Sequence, residues 1–125
     1  MKFTIIYDDT LKAIVLEAGG VMSLEHSKAM IDAEVEMLKK YPEASVLYNQ
    51  TDSSAEGISS DDIFAISEYS AKLGELLEGK KLAVVLKDDL GFGLGRMWKS
   101  FTETKVPFEI KLFRCKEEAA SWISS

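Results

Sequence analysis

The residues best suited to chemistry are spread along the chain, and each group asks for a particular ligand or reaction. Asp52-Ser53-Ser54-Ala55-Glu56-Gly57, then Ser59-Ser60, forms a polar stretch ahead of an apolar periodic segment. Loops at the carboxyl ends of parallel strands are where open α/β sheets bind ligands, and an adjoining helix start offers free N–H groups to an anion. Asp61 and Asp62 already suit that helix dipole and would repel a phosphate. The same serines have a plainer use as helix caps.

Gly91-Phe92-Gly93-Leu94-Gly95 has the look of a phosphate-cradling loop. A dinucleotide fingerprint needs its glycines in the first strand-to-helix turn of a βαβ unit, with an acidic residue after the next strand. Here the glycines come late, no such strand follows, and no Gly-Lys-Ser/Thr ending is present. Close helix-to-sheet packing accounts for Gly91 and Gly95, one turn apart. Phe92, Arg96 and Lys99 then share the opposite face, where an aromatic ring beside two cations suits a protein partner or an acidic amphiphile.

Carboxylates occur as neighbours at Asp8-Asp9, Asp61-Asp62, Asp88-Asp89 and Glu117-Glu118. Acid–base catalysis needs two carboxylates in unlike environments across a cleft, and adjacent residues at turns and helix starts do not supply that. Asp52 and Asp88 follow strands that are candidates for neighbours, but no spacing demands a cation there. His26 is the only histidine and Cys115 the only cysteine, so no triad or cysteine-based metal cluster can be drawn. We expect His26 to face solvent and Cys115, near a helix start, to be an incidental small residue whose thiol the dipole could acidify. No catalytic residue, metal or cofactor is assigned.

Apolar periodicity supplies the elements that carry these residues. Residues 2–7 and 11–18 read as strands around an Asp8-Asp9-Thr10 turn, the second broken by Gly19-Gly20. Ser23 caps a helix with Leu24, Ile31, Val35 and Leu38 on one stripe, stopped by Tyr41-Pro42. Met30, Met37 and Tyr41 flank that stripe, as the shoulder of a wide buried face or as a partner patch. Residues 44–49 read as a third strand, and a second helix, capped by Ser59 or Ser60, buries Ile63, Ile66, Leu73 and Leu77. Lys81–Lys87 is apolar without alternation, so both of its faces should be covered. A third helix from Asp88-Asp89 puts Leu90, Leu94, Met97, Trp98 and Phe101 on one face. Pro107 precedes an alternating edge strand, Phe108–Leu112, and a last helix runs from about Lys116 to Ile123. The order ββαβαβαβα implies a single α/β domain over residues 1–125, with a five-stranded, mostly parallel sheet and one antiparallel pair.

Composition narrows the partners. The chain is 125 residues long with 46% hydrophobic and 29% charged residues, enough for one real core. Its 21 acidic and 15 basic residues leave a net charge of −6, which disfavours nucleic acid and anionic membranes. No run approaches the ~20 apolar residues of a membrane span, and no signal-peptide pattern opens the chain, so the cytoplasm is expected.

Two stretches carry a family likeness: Lys81–Leu86 followed by Gly91–Met97, and Leu112–Ile123 with its Phe113, Glu117-Glu118, Ala119-Ala120 and Trp122. Together with the element order they resemble the STAS-like superfamily of anti-sigma-factor antagonists and sulfate-transporter cytoplasmic domains. The chain is most similar to the small stand-alone bacterial proteins of that group. The resemblance implies a regulatory or interaction module rather than an enzyme. Anti-sigma-factor antagonists carry a phosphorylatable serine in an Asp-Ser-Ser-Gly stretch at the loop-to-helix junction after the third strand. This chain has Asp52-Ser53-Ser54-Ala55 there, without the glycine, and Ser59-Ser60 are followed by two aspartates. A relationship to lipid-carrying CRAL-TRIO domains implies an apolar ligand. The expectation is thus a module that binds a protein partner or a small apolar ligand through the Asp52–Ser60 loop and the Phe92-Arg96 face. The alternative is an amphiphile carrier with a pocket between the second and third helices, lined by Phe64, Trp98 and Phe101. A homodimer is compatible with either.

Overall fold

The computed structural model describes residues 2–125. It begins with an antiparallel hairpin, β1 (Lys2–Asp8) and β2 (Ala13–Val21). Asp8 Oδ1 accepts the Leu11 N–H at 3.0 Å, and Lys12 takes a φ of 56°, so Leu11 and Lys12 belong to the turn rather than to β2. Three rounds of helix and strand follow: α1 (Leu24–Lys40) and β3 (Ser45–Ser54), α2 (Ser60–Ser70) and β4 (Lys81–Val85), α3 (Asp89–Thr102) and β5 (Glu109–Phe113). α4 (Lys116–Ser124) closes the chain.

The strands lie in the order β1-β2-β3-β4-β5, antiparallel at the first pair and parallel thereafter. Each step after the hairpin advances by one strand in the same direction. Right-handed crossovers then place α1, α2 and α3 on one face of the sheet. α4 is not bound by that rule and covers the other. Two cores result. The larger joins Ile14, Leu16, Val46, Tyr48, Leu82 and Val84 to α1–α3. The smaller joins Val15, Leu47, Ala83, Val85 and Phe113 to Ala119 and Ile123 of α4. β4 is buried on both faces, as its unbroken apolar run requires.

The helix starts are set by side chains. Ser23 accepts the His26 N–H at 3.2 Å, Asp88 accepts that of Gly91 at 2.7 Å, and Ser59 and Asp62 form a reciprocal capping box at 3.0 Å. α2 stops at Ser70, and Leu73 and Leu77 are buried from two short 3₁₀ turns, Ala71–Leu73 and Glu75–Leu77.

Two expectations need correction. Gly19-Gly20 does not end β2, which shifts register between Glu17 and Gly19 and continues to Val21. Glycine leaves the close backbone approach open, and β3 runs alongside to Ser54. Leu90 is not part of the buried face of α3 but 52% exposed. The face that meets the sheet is centred one residue on, at Gly91, because Gly91 and Gly95 let the helix sit close to Leu86 and Leu112.

Candidate ligand cavity

Between the sheet and α1–α3 the larger core is incompletely filled. A cavity of about 80 Å³ is walled by Met30 and Ile31 of α1, Ile63 and Ile66 of α2, and Leu82 and Val84 of β4. Leu94, Gly95 and Trp98 of α3 close its side. Parallel register sets Tyr48 level with Val84, so Gln50, two residues on, stands toward the carboxyl ends of the strands. Met22, Ser27, Gln50, Leu86 and Gly91 all lie toward that end. The cavity therefore reaches the edge of the sheet at which α/β folds bind ligands.

Few polar groups meet this space, and most are already engaged. Ser70 donates to the Ile66 carbonyl at 2.8 Å and accepts the Trp98 indole N–H at 3.3 Å. Thr102 donates to the Trp98 carbonyl at 2.6 Å and shares a 2.9 Å hydrogen bond with Ser67. These buried hydroxyls tie α2 to α3 and hold Trp98 as a fixed wall. Tyr48 donates to Glu34 Oε1. Gln50 and Ser27, both buried, line the cavity, and neither side chain makes a hydrogen bond among the described residues. A primary amide has up to four hydrogen bonds to offer and a hydroxyl up to three, so Gln50 and Ser27 are the polar groups available to a guest.

Glu34 escaped the sequence reading. It lies one turn beyond Met30 on α1, fully buried, with Tyr48 bonded to one oxygen and, among the described residues, no partner on the other. Burial raises its pKa from 4.5 to about 8, and the Tyr48 hydrogen bond only partly opposes this. Burial, then the Glu34 carboxylate, also pushes the Tyr48 phenol well above its usual range. The signal lay in spacing: Ser27, Met30, Ile31, Glu34 and Leu38 are the buried residues of α1, a stripe rotated toward Met30 and away from Leu24 and Val35.

The residues singled out by sequence separate into three groups. Of Phe64, Trp98 and Phe101, only Trp98 lines the cavity. Phe64 is 48% exposed and meets Phe101 edge-on at 5.4 Å on the outer side. Phe92 does gather cations, but Arg114 stacks closest at 4.3 Å, Arg96 lies at 5.2 Å, and Lys99 pairs with Glu103 at 2.9 Å instead.

The Asp52–Ser60 segment is mostly not a loop. Asp52, Ser53 and Ser54 lie in β3 opposite Gly19, Gly20 and Val21, and Ser53 donates to the Ala18 carbonyl at 3.2 Å. Only residues 55–59 connect onward, with Ala55 and Ile58 buried. Ser59 is the cap, and Ser60 is exposed in the first turn of α2.

His26 is half-buried, its Nδ1 2.8 Å from Ser23 Oγ. At Cys115 the Glu118 N–H favours the thiolate, but the Glu118 carboxylate, burial and the nearby acidic charges outweigh it and raise the thiol pKa. The helix start does not activate this cysteine. Among the described residues no three His, Cys, Asp or Glu side chains converge to hold a metal ion.

The architecture has a solved counterpart. A crystal structure of an uncharacterized protein of the DUF3478 family with a SpoIIAA-like fold, from Shewanella loihica PV-4, superposes with a TM-score of 0.63. The match covers 98% of this chain and 92% of that one at 21% identity. The chain therefore has a SpoIIAA-like, STAS-like fold. No family model and no curated protein matches the sequence. Among the described residues no helix is long and apolar enough to cross a membrane.

Proposed function

We propose that this protein is a non-enzymatic binding module of the cytoplasm that takes a small, largely apolar ligand into the cavity beneath α1–α3. The observation that carries this reading is the cavity itself, apolar on nearly every side, with Gln50 and Ser27 toward the carboxyl ends of the strands. A well-packed core leaves few such spaces, because each unfilled methyl-sized volume costs stability.

Its size limits the guest. An engineered apolar cavity of about 150 Å³ binds benzene, and this one is roughly half as large. A whole acyl chain does not fit without displacement of side chains. A short alkyl group with one carbonyl or hydroxyl does, its polar atom toward Gln50.

The reading is tested with a series of straight-chain alcohols from ethanol to octanol, followed by Trp98 fluorescence in a Trp122→Phe background. Each methylene that enters should tighten binding about fourfold, from about 0.8 kcal/mol per buried CH₂, until the cavity is full and the trend reverses. Signals that never saturate, or affinities that rise without a break through octanol, would contradict a site of this size.

A further inference from the structure

We infer that β1 is a self-pairing edge, along which two copies of this chain join antiparallel about a twofold axis at Ile5 and merge their sheets into one. The sheet has two edges, β1 and β5. β5 is guarded in the usual way: five residues long, with Pro107 ahead of it and exposed Glu109 and Lys111 along it. β1 carries charges only at its two ends, Lys2 and Asp8. It runs seven residues with no proline and no break in its register with β2, and Ile5-Ile6 stands at its middle.

The residues of β1 complement their own reversal. With Ile5 opposite its copy, Thr4 meets the partner's Ile6, Phe3 meets the partner's Tyr7, and Lys2 meets the partner's Asp8. A perpendicular twofold keeps each sheet face continuous only if register moves in steps of two. Centred on Thr4, the pairing sets Lys2 against Ile6 and carries Asp8 past the end of the strand. Centred on Ile6, it sets Thr4 against Asp8 and leaves Lys2 outside. Only the Ile5 centre uses the full strand and places opposite charges at both ends.

Both faces of β1 have surface left to cover. Phe3, Ile5 and Tyr7 border the larger core but stay half-buried, and Tyr7 stacks on Tyr41 with ring centroids 4.0 Å apart. Cross-strand aromatic and β-branched pairs of this kind stabilise sheets. On the opposite face α4 packs against β3, β4 and β5 and leaves Ile6 56% exposed.

Sedimentation velocity from micromolar to near-millimolar protein should reveal a reversible dimer. Lys2→Asp sets two carboxylates together at each end and should weaken the dimer about tenfold or more. The exchange Lys2→Asp/Asp8→Lys should restore it. In a Cys115→Ser background, Ile5→Cys should form an intermolecular disulfide on mild oxidation, while Thr4→Cys should not. A chain that stays monomeric throughout overturns the inference, as does a dimer indifferent to the charge exchange or one that cross-links through Thr4→Cys.

Discussion

Replacing Glu34 by glutamine should abolish a pH dependence of stability that runs opposite to that of an ordinary surface carboxylate. Glu34 is fully buried and titrates near 8 in the folded chain, against 4.5 for a free glutamate. Between those values the native state holds a proton that the unfolded chain has released. Stability therefore falls as pH rises, by up to about 1.4 kcal/mol per pH unit for one such group. From pH 5 to 7.5 the decline is on the order of 3 kcal/mol, a large part of the 5–15 kcal/mol typical of a domain. Above the folded pKa the loss is complete and the profile levels.

Glu34→Gln keeps an oxygen for the Tyr48 hydroxyl and cannot ionise, so its profile through this window should be flat by comparison. Asp32 works with the opposite sign and outside the window. The Tyr69 hydroxyl, then Lys72 and Lys28, hold its carboxylate below the usual value against a smaller opposing effect of burial, so its contribution disappears only as the solution becomes strongly acidic. Urea unfolding of both proteins at pH 5, 6, 7 and 8, read by tryptophan fluorescence, gives the difference directly and cancels every group they share. Parallel profiles, or a wild-type midpoint that climbs from pH 5 to 8, would refute the argument.

Gly93 and Gly95 should respond oppositely to alanine. A Cβ on Gly93 meets nothing within 4 Å, so Gly93→Ala should stabilise by about 0.5–1 kcal/mol. A Cβ on Gly95 would lie 2.5 Å from Leu86 Cδ1 and drive that methyl toward the cavity. Gly95→Ala should cost about 1 kcal/mol and weaken alcohol binding, measured by urea unfolding and by the fluorescence titration. Ser59→Ala removes one side of the capping box and should cost about 1 kcal/mol in the same unfolding assay.

Much of this architecture is written in local patterns. Ser23, Asp88 and Ser59 each cap the helix that follows them, and Lys81–Val85 of the apolar run becomes a strand covered on both faces. The continuation of β2 through Gly19-Gly20 was not legible, because glycine reads as a break unless a close neighbouring backbone is known. Asp52-Ser53-Ser54 looked like a loop for the same reason: polar residues become strand when a partner strand takes their backbone bonds. The cavity was legible only at Trp98. Its other walls come from five elements, α1, α2, α3, β3 and β4, whose mutual distances no local pattern encodes. Glu34 sat in plain view on the apolar stripe of α1, hidden by the general rule that glutamate faces water.

A small apolar probe should bind in the cavity beneath α1–α3 and not across the sheet. Methyl-resolved NMR during titration with 1-butanol should show saturable shifts at Ile31, Ile63, Ile66, Leu82 and Val84, which line the cavity, and none at Val15, Leu47, Val85 and Ile123 across the sheet. Shifts of similar size on both faces, or linear drift without saturation, would contradict it.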